Sequence, residues 1–433
     1  FVNSGTYEKS GGAATTSIAL AFSNTSSGPA TGIVNVQSGT LDLSAGGTSD
    51  GSFTGSAGST LGLGGGHSLS AASSVSGANI RFMGGTNTVA GSYTATESTI
   101  FTGGTSTLSG TVSGVGTALS ASGGVGVFGN GQAINTGAIT ISGGGLTFNN
   151  VGGLAATSLD LSAGTLGGTS QLTVSGLTRW TGGTMTGTGS TVANGSLSIG
   201  GATLKDITQR RLVNAGTATW AEAAGGRIRT GSGVVIENTG LWRDQNTVGT
   251  QISNDFGGAA SSFVNNGTYR KTVATSTLIG VVINNAGTVN VDAGTLVLSG
   301  GGTDTGVYAV EAGTTLNFAG GTHNLNAGSV TGSGTVSVTG AALNVNGGSY
   351  DIGTAISSGT ANLNVAVSVP TLTLSGGTLG GTGTVTVTDM SWTGGTMAGT
   401  GSTVANGSLS IGGAGLKDIT QRRLVNAGTA TWA

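Results

Sequence analysis

Few residues in this chain could do chemistry. Two histidines, His67 and His323, sit in matching contexts, GGGHSL and GGTHNL. A repeated histidine invites a metal or proton-transfer reading. Neither has Cys, His, Asp or Glu near it at ligand spacing, so both read as polar turn residues copied with their repeat. The acidic residues number 16 in 433 and are scattered; the nearest pairs, such as Asp42 and Asp50, fall in different turns. Glycoside cleavage needs two converging carboxylates, so no catalytic residue is assigned and no enzymatic activity is expected. There is no GxxxxGK[ST] loop, HExxH or GxSxG, and no G-G-x-G-x-D calcium-roll run. GxGxxG-like strings carry no weight in a chain with 88 glycines. No metal or cofactor is expected.

Charge is unevenly placed. Thirteen of the 30 charged residues (14 basic, 16 acidic) lie between Lys205 and Lys271. Lys205, Asp206, Arg210 and Arg211 return as Lys417, Asp418, Arg422 and Arg423. One reading is a solvated face with exposed ion pairs, each worth well under ~1 kcal/mol. The competing reading is a surface contact for a ligand or a neighbouring fibre, made by Lys205, Arg210, Arg211, Lys417, Arg422 and Arg423. Tryptophans also recur, Trp180 with Trp392 and Trp220 with Trp432, while Trp242 stands alone. Exposed, they would stack on sugar rings; the parity of Trp220 with Ala218 argues instead for core packing. Asparagines before turn glycines (Asn3, Asn214, Asn238, Asn266, Asn285 and Asn426) suit a stacked ladder. Such a ladder hydrogen-bonds along a fibre axis and satisfies turn backbone, and Asn tolerates the left-handed turn conformation.

The elements that must position these residues are short strands. Apolar and polar residues alternate in Ile33-Val34-Asn35-Val36, Leu41-Asp42-Leu43, Ile139-Thr140-Ile141, Thr288-Val289-Asn290-Val291 and Thr384-Val385-Thr386-Val387. Period two over about four residues is the half-buried strand pattern. GG, SGG, AGG and NAG clusters between them are turn signals, and no amphipathic helix of useful length is visible. Only two prolines and no glycine at every third position exclude collagen. A 36% hydrophobic content with net charge −2 excludes simple disorder and gives no reason to expect nucleic acid as a partner. No run approaches the ~20 apolar residues of a membrane helix, so no membrane insertion of this segment is expected. There is no cysteine, hence no disulfide.

The turn glycines set a period. Asn followed closely by Gly recurs at Gly216, Gly240, Gly267 and Gly287, with gaps of 24, 27 and 20. A rung of roughly 20–24 residues holding two or three short strands predicts an all-β solenoid. A longer repeat lies on top of it. Trp180–Ala221 returns as Trp392–Ala433 with differences only at Thr186/Ala398 and Thr203/Gly415. FVNSGTYEK from Phe1 returns as FVNNGTYRK from Phe263. The predicted organisation is one continuous β-helix of two units, residues 1–262 and a shorter, incomplete 263–433. Whole coils are inserted in the first unit, which a one-dimensional stack absorbs easily.

AGTLVLSGGGT, GTGTVTVT, WTGGTM and FVNNGTYRK resemble the tandem repeats of very large exported bacterial adhesins, the filamentous-haemagglutinin and autotransporter-passenger type. The resemblance covers essentially the whole chain and is specific to repeat type rather than to a named protein. It implies a right-handed parallel β-helix, an extracellular or cell-surface location and a structural or adhesive role in a rod, filament or biofilm matrix. The crossover rule independently favours the right hand. The partners it implies are neighbouring repeats of the same chain, further copies in a filament, and a host or surface glycan. Two other classes stay open: a carbohydrate-binding or polysaccharide-degrading β-helix, and an ice-binding face, for which Thr371/Thr373 and Thr384/Thr386/Thr388 supply local Thr-x-Thr patterns. Phe1 opens inside a repeat, so the chain reads as a window from a longer protein whose solenoid edges would template further pairing.

Overall fold

The computed structural model describes residues 1–27, 31–129, 131–149 and 152–433. Among these there is no helix; the chain is a succession of short strands and turns, stacked as the parallel coils of a β-solenoid. It divides into two compact units: residues 1–198 with 203–212, and residues 199–202 with 213–433.

In the first unit, alternation does what the sequence dictates. Odd and even side chains point to opposite faces of a strand, so Thr40–Leu43 buries Leu41 and Leu43 and turns Thr40 and Asp42 outward. Parallel register then lines up equivalent positions of successive coils. Leu43, Leu63, Phe82, Phe101, Ala121, Ile141, Leu161 and Trp180 form one column of neighbours, none more than 1% exposed. Each large apolar member contributes about 1.5–3 kcal/mol by leaving water. Phe82 stacks on Phe101 and Phe128 on Phe148, both at 5.1 Å between ring centroids.

The second unit repeats the scheme. Ile279, Leu298, Phe318, Val338, Ile356, Leu374, Trp392 and Ile411 form its corresponding column. The repeat boundary at 262/263 falls inside the strand Ser262–Asn265, which pairs in register with Val235–Asn238 on one side and Val282–Asn285 on the other. Register partners on adjacent coils are 18 to 27 residues apart, a slightly wider range than the 20–24 read from the turn glycines. The widest spacing occurs both in the charged region, as at Leu241/Thr268, and near the first residues, as at Thr6/Ile33.

Two glycines are required by close approach. Gly47 has φ 151°, and a Cβ there would meet the Phe22 carbonyl oxygen at 1.9 Å. Gly302 has φ 154°, with the Ile283 carbonyl oxygen at 1.6 Å from the same hypothetical atom. Their neighbours on the next coil are His67 and His323.

Candidate functional site

The polar residues that sequence reasoning singled out are mostly inside the coils. Asn214, Asn238 and Asn285 form a ladder, as expected. Its fourth member is Asn265, not Asn266. Asn214 Nδ2 donates to Asn238 Oδ1 at 2.7 Å, Asn238 to Asn265 at 2.8 Å, and Asn265 to Asn285 at 2.8 Å. Each Nδ2 also donates to the carbonyl of the first residue of a following strand, Leu241, Thr268 and Thr288 respectively. All four are buried. The reason for the correction is parity: the shared spacing is Asn-x-Gly, and Asn266, one step on, faces outward and reaches Glu237 at 3.1 Å. Asp304 closes the ladder, its Oδ1 accepting the Asn285 backbone N–H at 2.7 Å. Asn3 makes a shorter version, donating to Asn24 Oδ1 at 2.8 Å and to the Ile33 carbonyl. Asn426 is exposed, and its side chain bonds within its own turn, to Gly428.

Two further ladders escaped the sequence reading. Asn362, Asn344 and Asn324 are linked at 2.8 Å, and Asn364, Asn346 and Asn326 at 2.8 and 2.9 Å. Their signal was available: Asn recurs there at separations of 18 and 20.

The proposed surface contact divides in two. Arg211 and Arg423 are exposed. Lys205, Arg210 and Arg422 are buried, which removes them from any surface. Arg210 Nε donates to Thr191 Oγ1 at 2.9 Å, and its two terminal nitrogens reach the carbonyls of Gly168, Thr186, Ser170 and Ser190. Arg422 repeats the pattern on Thr403 Oγ1 and on the carbonyls of Gly380, Gly381, Ala398, Gly383 and Ser402. A guanidinium is a rigid fork of donors, so each arginine ties together turns of three coils. Burial pulls the Arg210 pKa down to about 10, leaving it charged at neutral pH. The residues just before, Gln209 and Gln421, hold φ of 61° and 62°, a left-handed conformation that turns the arginine inward. Lys205 Nζ donates to the Thr203 carbonyl at 2.8 Å. Lys417 is half-buried, and its ammonium caps the Gly413 and Gly415 carbonyls.

The histidines are not turn residues. His67 and His323 lie on strands, 1% and 0% exposed, in register beside Gly47 and Gly302. Nε2 of His67 meets the Leu43 carbonyl and that of His323 the Gly320 carbonyl, both at 3.1 Å. Burial lowers both pKa values, that of His323 to about 4, so each is a neutral imidazole. Among the described residues no three His, Cys, Asp or Glu side chains could hold a metal ion together. Trp220 is a core residue, as its parity with Ala218 predicts, and so are Trp180, Trp242 and Trp392; Trp432 is exposed. Trp220, Trp242 and Phe263 make successive edge-to-face contacts at 6.2 and 5.1 Å.

The part of the charged region that sequence reasoning missed is its interior. Asp244 and Lys271 are an ion pair at 3.6 Å with no solvent exposure, surrounded by Tyr269, Asn246 and Thr277. Parity could have found it: in Leu241-Trp242-Arg243-Asp244 and Thr268-Tyr269-Arg270-Lys271 the last residue shares the inward face of the aromatic. Outside, Arg81 pairs with Asp42 at 2.7 Å, Arg227 with Asp255 at 2.9 Å, and Arg270 with Asp292.

One cleft, in the second unit, is lined by Gly225, Gly226, Arg227, Gly249, Thr250, Gln251, Ser276 and Leu278; it carries a single ionisable group. The threonine patterns are not carried from coil to coil. Thr384 and Thr386 are followed by Ser402 and Val404, and Thr371 and Thr373 by Asp389 and Ser391. No known family, curated protein or solved structure matches the chain, so what it can do rests on its own geometry.

Proposed function

We propose that this chain is a non-catalytic structural and adhesive segment of a large extracellular bacterial surface protein, a fibre-forming repeat used for reach and attachment. The observation that supports this best is the direction of its polar bonds. The asparagine ladders and the two arginine forks join one coil to the next, where an enzyme would gather such groups around a substrate. Side chains used in this way hold a stack together along its axis. The outer face is Ser-, Thr- and Asn-rich with few charges, which favours close lateral packing of fibres with little repulsion.

The hydrolase reading would need a converging acid and base, and the cleft at Arg227 offers neither. The ice-binding reading would need a rank of threonines, which the coils around Thr384 interrupt. Electron microscopy of the native full-length protein tests the proposal: thin rods or filaments are expected, and compact, monodisperse particles at high concentration would refute it.

A further inference from the structure

Three strands of the second unit, Thr217–Glu222, Leu241–Asp244 and Thr268–Lys271, stack in register so that Trp220, Asp244 and Lys271 are successive neighbours on the inward face. The Lys271 Nζ lies 3.6 Å from Asp244 Oδ2, and both side chains are fully shielded from solvent. The two carboxyl oxygens are held differently. Oδ1 accepts the backbone N–H of Asn246 at 3.2 Å and its Nδ2–H at 2.6 Å. Oδ2 accepts the Tyr269 hydroxyl at 2.8 Å. The Lys271 ammonium donates to Thr277 Oγ1 at 3.1 Å and Thr275 Oγ1 at 3.4 Å. Asn246, Tyr269 and Thr277 are themselves buried.

We propose that Asp244 and Lys271 condense into an intramolecular amide, a covalent staple between adjacent coils. A proton first passes within the pair, from the ammonium to Oδ2, leaving a neutral amine and a neutral acid. The Nζ lone pair attacks Cγ, forming the C–N bond and placing negative charge on Oδ1. The two N–H groups of Asn246 are already aimed at that oxygen, as preorganised donors must be to stabilise it. A second proton moves from Nζ to the Oδ2 hydroxyl, the Cγ–Oδ2 bond breaks, and one water departs. Atoms and charge balance, and no other reactant is needed. Tyr269 keeps the leaving oxygen in place; burial and the neighbouring carboxylate hold its phenol well above the ordinary pKa, so it remains a donor. Desolvation lowers the Lys271 pKa, favouring the nucleophilic amine. Fixing the two groups side by side supplies the proximity that makes such closures fast. The staple goes beyond the fibre reading and stands or falls independently of it.

The test is mass spectrometry of the whole folded chain after denaturation. The expected mass is one water below that of the sequence. A protease map should give a branched peptide joining Asp244 to Lys271, uncut by trypsin after Lys271. Lys271→Met and Asp244→Ala should each restore the full mass, and Asn246→Ala or Tyr269→Phe should slow closure by about tenfold or more. The unsubstituted protein decides the matter even if a variant fails to fold. Full sequence mass, or a lost water that maps to any other pair, would overturn the proposal.

Discussion

At the scale of single residues, a polar side chain in this protein is either in the ladder or out of it, and one step along the strand decides which. Asn238→Leu would strip the partner from the Asn214 donor and the Asn265 acceptor. Each orphaned buried group costs about 1–3 kcal/mol, so a clear drop in the urea midpoint is expected. Asn266→Leu, on the outer face, should change it by no more than about 0.5 kcal/mol. Equal effects would mean the ladder is not the stabilising contact. Asp304, at the ladder's end, adds a pH dependence. Burial raises its pKa from 3.8 to about 7, so the folded chain holds this proton more tightly than the unfolded one. The contribution is full below about 3.8 and is lost as pH rises through about 7, up to roughly 4 kcal/mol. Asp304→Asn should abolish that slope in unfolding measured between pH 4 and 8. His323 works in the opposite sense: burial lowers its pKa from 6.5 to about 4, so its contribution is present above 6.5 and lost as pH falls toward 4. Ladder membership was partly legible in the sequence. Asn-x-Gly spacing points to Asn265, yet adjacency to the glycine pointed to Asn266, because residue type alone does not report parity.

At the scale of elements, alternation and turn glycines specified the strands, and the inward faces of Thr40–Leu43 or Thr288–Val291 follow directly from period two. What could not be read was how a turn feeds a long side chain back into the stack. Arg210 and Arg422 looked like surface charges, because arginine rarely buries unless its donors are met. Here the turns of three coils meet them, and the left-handed Gln209 and Gln421 aim the forks. Arg210→Met would leave several turn carbonyls without donors and should destabilise its unit by roughly 3 kcal/mol or more. Arg211→Met, next in sequence and exposed, should be nearly silent in the same chemical unfolding assay. The buried histidines were equally hidden: each pairs with a glycine about twenty residues earlier, a relation visible only once the coils are in register. Gly302→Ala should therefore be severe, since its Cβ has no room against the Ile283 carbonyl, and the loss should appear as reduced hydrogen-exchange protection around His323.

For the molecule as a whole, the solenoid class was legible in the glycine spacing and in repeats such as FVNSGTYEK and FVNNGTYRK, because a one-dimensional stack writes its period into the sequence. The units 1–262 and 263–433 are units of sequence repetition, whereas the two compact units of the structure divide near residue 212. The function proposed here expects no turnover: purified protein incubated with common bacterial and host polysaccharides should release no product, and activity abolished by replacing one acidic residue would refute the structural role. The most direct test is diffraction or cryo-electron microscopy of filaments of the native full-length protein. Coils stacked along a fibre predict a strand repeat of about 4.8 Å running parallel to the filament axis. Strands lying along the axis, or compact particles with no axial repeat, would contradict the account.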